Sequence, residues 1–138
     1  MKRLSVAMLL MMTGVAQAAP FEITDGWFRS LPGKLPAGGY FTAYNGTGRD
    51  VSIMGADSDA CGMLMIHQSS NKGGMSGMDM VDKVPLPAGG EAKFAEGGYH
   101  LMCMNAKFKP GDKVPVTLAL SDGSKLTASF AVRDARGK

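Results

Sequence analysis

The feature that most limits how this chain can fold is the period of its apolar residues, which is two rather than three to four. Near the C-terminus Val114, Val116, Leu118 and Leu120 alternate with less apolar residues, Asp122-Gly123 intervenes, and Leu126, Ala128, Phe130 and Val132 alternate back. Successive side chains of a strand point to opposite faces, so each run turns one face to a core, and Asp-Gly between them is a hairpin signal. Pro115 lies on the other face and cannot donate to a ladder, which predicts a strand near an edge or a bulge. Strands are predicted likewise at Phe21–Arg29, Gly39–Asn45, Val51–Asp57, Met63–Ser69, Ala92–Phe94, Tyr99–Met104, Lys113–Leu120 and Lys125–Val132. Pro32-Gly33, the NGTG run at 45–48, PAGG at 87–90 and Pro110-Gly111 separate them. No segment sustains helical periodicity. Short strands at this spacing predict an all-β fold, a Greek-key β-sandwich or barrel. The one low-complexity stretch, NKGGMSGMDM at 71–80, reads as a flexible loop.

The N-terminus reads as an export signal. Lys2 and Arg3 form a positive n-region, Leu4 to Val15 an apolar stretch, and Ala16-Gln17-Ala18 a small-x-small site, with cleavage expected after Ala18. That apolar stretch is shorter than the roughly 18 residues of a membrane span, and no later segment is continuously apolar, so no membrane span is expected. Residues 19–138 are then one exported, periplasmic domain. Losing Lys2 and Arg3 lowers the formal net charge of +3 by two, and the remaining cations are scattered singly. Nucleic-acid binding, which needs a clustered basic face, is not expected.

The chemistry lies in His67, Met78, His100 and Met102. They are spaced as His, ten residues, Met, twenty-one residues, His, one residue, Met, and the chain has no other histidine. Imidazole nitrogen and thioether sulfur form a soft, neutral ligand set that suits Cu(I) and serves hard divalent cations poorly. His100 and Met102 are two apart on one strand, so they project to the same side, with Leu101 and Cys103 on the other. His67 falls near the end of its strand and Met78 inside the loop that follows, where a ligand can swing away to release its metal. Met75 and Met80 stand as substitutes for Met78 or as transient docking ligands. Met54, Met63, Met65 and Met104 read as core filler, although Met104 shares a face with His100 and Met102. Zinc sites draw on Cys, His and carboxylates; iron–sulfur and haem attachment need cysteine spacings that are absent. A blue-copper site needs a thiolate with two histidines, and Cys103 faces away from His100. No nucleophile or general base is legible, so no enzymatic activity is expected.

The spacing of the four residues and the segment GGYHLMCM at 97–104 resemble the PCu(A)C family of periplasmic copper chaperones, whose motif is matched at all four positions. ITDGWFRSLP at 23–32, GGYFTAYN from Gly38, PLPAGGEAKF at 85–94 and GDKVPVTLAL at 111–120 extend the resemblance over nearly the whole mature chain. It implies a cupredoxin-like β-sandwich that carries one Cu(I) and delivers it toward the CuA centre of cytochrome c oxidase subunit II, alongside a Sco-type thiol protein. A His/Met-rich C-terminal tail that some relatives carry is not matched, since the sequence ends Ala135-Arg136-Gly137-Lys138. The alternatives are a copper-buffering or resistance protein with the same site and no dedicated recipient, and an interaction module whose His and Met residues are incidental.

Two cysteines in an exported chain, Cys61 and Cys103, make a structural disulfide the default. If the strands that carry His67 and His100 pair antiparallel, the two sulfurs could be brought near each other, and a bridge would tie the two ligand-bearing segments together.

Overall fold

The computed structural model describes residues 20–72 and 74–138; the expected signal segment, 1–18, lies outside the described residues. Ten strands follow in chain order: β1 (Phe21–Arg29), β2 (Ala37–Asn45), β3 (Val51–Asp57), β4 (Met63–Lys72), β5 (Met75–Met80), β6 (Val84–Leu86), β7 (Glu91–Phe94), β8 (Tyr99–Met104), β9 (Lys113–Leu120) and β10 (Lys125–Arg133). The all-β expectation holds. Nine strands form one path, β5-β4-β8-β2-β1-β10-β9-β3-β6, and β7 adds to β2. All pairs are antiparallel except β1 with β10.

Alternation explains how this path encloses a core. Val114, Val116, Leu118 and Leu120 of β9 are buried, as are Phe130 and Val132 of β10, Phe41 and Ala43 of β2, Leu101 and Cys103 of β8, and Ile66 of β4. These residues belong to one apolar cluster, so the strand path wraps around it rather than lying flat. Phe94 of β7 stacks on Phe41 with ring centroids 4.2 Å apart, and Phe130 meets Phe28 at 5.4 Å and Phe41 at 5.7 Å. Asn45 is the fully buried polar exception. Its amide donates to the carbonyls of Arg49 at 2.7 Å and Leu86 at 2.8 Å, and its Oδ1 accepts from the Thr47 hydroxyl at 2.6 Å, so its burial is compensated.

Two expectations need correction. Residues 71–80 are not a loop: β4 runs on to Lys72 and pairs with β5 from His67↔Met80 to Lys72↔Met75, around a turn in which Gly74 takes φ +79°. A glycine at positive φ suits a tight turn between paired strands. Backbone bonding to β4 outweighs the poor strand propensity of Ser76, Gly77 and Asp79. The second concerns Pro115, since β9 is not an edge strand but lies between β10 and β3. Pro115 is tolerated because β3 pairs only with Thr117–Leu120; beside Pro115, the Ser58 hydroxyl donates to its carbonyl at 2.7 Å instead.

Candidate metal centre

The sheet segment β5-β4-β8 turns one face to the core and the other outward. Leu64, Ile66, Leu101 and Cys103 pack inward, which by alternation sends Met63, Met65, His67 and Ser69 of β4 and His100, Met102 and Met104 of β8 to the outer side. Cys61, just before β4, is bonded to Cys103 of β8, with Cα atoms 5.4 Å apart. The disulfide therefore ties the two histidine-bearing segments together on the core side and leaves the outer side free.

His67 and His100, separated by more than thirty residues in the chain, are direct cross-strand partners, and their rings meet edge to face with centroids 5.8 Å apart. Nδ1 of His100 lies 3.2 Å from the Gly98 carbonyl. A carbonyl only accepts, so Nδ1 carries the proton and Nε2 keeps its lone pair for a metal. Both ring nitrogens of His67 are shielded from solvent and have no hydrogen-bond partner in the protein. An orphaned polar atom of this kind costs about 1–3 kcal/mol, and coordination of a metal through one of the two nitrogens would offset the cost at that atom. Burial, and secondarily the neighbouring His100, hold the His67 imidazolium below its ordinary value of 6.5, which keeps the ring neutral as a ligand must be.

Met78, His100 and Met102 line one surface cleft of about 400 Å³, with Gly38, Tyr40, Ser69 and Glu96 among its walls. Met78 lies on β5 opposite Ser69, one rung from His67, and it is 58% exposed. Met102 lies on the other side of His100, opposite Gly38 of β2 and Met65 of β4. A Cβ on Gly38 would come within 2.7 Å of the Tyr40 hydroxyl oxygen, so glycine is what lets the Tyr40 ring lie along this wall. Three of the four expected residues thus share a cleft, and the fourth abuts His100. Among the described residues no group of three or more His, Cys, Asp or Glu side chains is placed to hold a metal ion.

The spacing of the motif gave no hint of some neighbours. Met80, rather than Met78, is the direct partner of His67 across β4 and β5; the Gly73-Gly74 pair was the available signal for that register. Arg29 of β1 pairs with Glu96, and its guanidinium lies 5.3 Å from the Trp27 ring and 5.8 Å from the Tyr40 ring. This cation and aromatic belt fixes the wall beside Met102, and nothing in the local sequence around Arg29 announces it.

Residues 21–132 match the model of a family described as "Putative lipoprotein LpqE-like". The chain belongs to the LpqE-like family. A member from Leifsonia xyli subsp. xyli, "Putative lipoprotein Lxx21020", is 30% identical over 124 residues, 88% of this chain and 74% of its own. The LpqE-like fold also superposes on solved structures. The Cu(I) form of DR1885 from Deinococcus radiodurans, 29% identical, matches with a TM-score of 0.69 over 86% of this chain and 81% of its own. The copper-bound PCuAC domain from PmoF2 gives a TM-score of 0.69 at 21% identity, over 86% and 97% of the two chains, and shows a shared fold. The lipoprotein description is that of the relatives; in this LpqE-like chain both cysteines are bonded to each other.

Proposed function

We propose that this protein is an exported copper carrier in which His67, Met78, His100 and Met102 hold one Cu(I) and pass it to a recipient, the CuA centre of cytochrome c oxidase subunit II. The observation that carries this reading is the His67–His100 pair, with orphaned nitrogens on one ring, a directed Nε2 lone pair on the other, and Met78 and Met102 on either side in the outer cleft. Two neutral imidazoles and two thioethers stabilise a monovalent d¹⁰ ion. Copper in the DR1885 and PmoF2 structures agrees with that cargo. The exposed position of Met78 on β5 suits a ligand that must let go when a recipient arrives. Location in the periplasm, with the leader cleaved after Ala18, completes the proposal; among the described residues no helix is long and apolar enough to cross a membrane.

Mixing the Cu(I)-loaded protein anaerobically with an isolated CuA domain, and separately with a Sco-type thiol protein, tests delivery. Movement of copper to either recipient is the expected result. Retention of the copper against both favours a buffering or resistance role for the same site.

A further inference from the structure

The outer side of β4 and β8 carries sulfur at Met63, Met65, Met102 and Met104. Met63 lies opposite Met104 and Met65 opposite Met102, so four thioethers occupy two successive rungs immediately beyond the His67–His100 rung. Side chains directly opposite in an antiparallel pair have Cβ atoms about 4.5–5.5 Å apart, and like-facing rungs repeat at roughly 7 Å. Unbranched thioethers with three rotatable bonds can close such gaps around one ion.

Core filling does not explain these side chains. Met63 is 57% exposed, Met65 and Met104 are half-buried, and the core beneath is already filled by Leu64, Ile66, Leu101 and Cys103. Solvation does not explain them either, since the outward rows of β9 and β10 meet that need with Lys113, Thr117, Lys125, Thr127 and Ser129.

We infer that Met63, Met65 and Met104 form a second, all-thioether site for Cu(I), adjoining Met102. Three neutral, soft donors select a monovalent d¹⁰ ion over hard divalent cations. The site goes beyond the proposed function and does not depend on it. Because Met102 stands on the same ladder, the second site offers an ion the next foothold along the sheet, toward the β4–β8 end that carries the disulfide.

Anaerobic titration of the disulfide-bonded protein with Cu(I), and with Ag(I) as a redox-inert ion of the same charge, tests this. Capacity should fall by one equivalent in M63L/M65L/M104L. In H67A/H100A, one ion should remain and shift the methyl resonances of Met63, Met65 and Met104. Met63→Leu alone, at an exposed position where folding is not at stake, should weaken that binding step at least about tenfold. A capacity that M63L/M65L/M104L leaves unchanged overturns the inference, as do methyl shifts in H67A/H100A confined to Met78 and Met80. Loss of all Cu(I) capacity in M63L/M65L/M104L, with the wild-type capacity kept in H67A/H100A, would support the thioether site while contradicting the His67 reading.

Discussion

At the residue scale, donor type and direction decide what the cleft can hold. His100→Ala or Met102→Leu should weaken Cu(I) binding at least about tenfold, since loss of even an outer-shell partner commonly costs that much. Met54→Leu, on β3 and outside the cleft that Met78, His100 and Met102 line, should leave binding unchanged; a competition titration against a colorimetric Cu(I) chelator compares the three. Acid acts through His67. Its folded-state value is lowered from 6.5 by burial and by His100, so the unfolded chain takes up the proton first. The metal-free protein should be most stable above about pH 6.5 and should lose stability as pH falls below it. Denaturant unfolding at pH 7.5 and pH 5 measures this, and a His67→Ala variant should show a smaller difference between the two. Protons should compete with copper in the same acid range, because a thioether never titrates and an imidazole must be neutral to bind. A Cu(I) affinity flat between about pH 5 and 8 would exclude histidine ligation.

At the element scale, the two strands flanking β4 differ sharply in how they are held. β8 lies inside the sheet path, buries Leu101 and Cys103, and is joined to the start of β4 by the disulfide. β5 is the end of the path, every residue of it is exposed, and its ladder partner is β4 alone. Such a strand opens at little cost. In hydrogen exchange on the metal-free protein, Met75–Met80 should therefore exchange much faster than Tyr99–Met104, and Cu(I) should slow the former. Equal protection of both strands without metal would mean that Met78 is not a releasable ligand. Removing the disulfide in C61A/C103A frees an unfolded-state loop whose ends are 42 residues apart, a loss of about 4 kcal/mol in the chain-entropy picture. Chemical unfolding under non-reducing conditions checks that magnitude.

At the scale of the whole molecule, what could be read in advance was what local alternation encodes. The β9–β10 hairpin was legible because Val114 to Leu120 and Leu126 to Val132 each keep a strict period of two around Asp122-Gly123. β5 was not, because Ser76, Gly77 and Asp79 are weak strand formers and their pairing comes from β4. β6 is three residues with Pro85 in the middle, too short to carry a pattern. The candidate site divides along the same line. That His100 and Met102 share a face follows from their spacing on one strand, whereas the contact of His67 with His100 depends on β4 finding β8, a long-range pairing with no local signature. Met80 opposite His67, and the Met63–Met104 and Met65–Met102 rungs, became visible only with that register.

The most direct measurement is X-ray absorption at the copper edge on protein loaded with one equivalent of Cu(I). A single ion whose inner shell mixes imidazole nitrogen with thioether sulfur, the nitrogen contribution falling in His100→Ala, is the predicted result. A shell of sulfur alone, or of nitrogen and oxygen without sulfur, would contradict it.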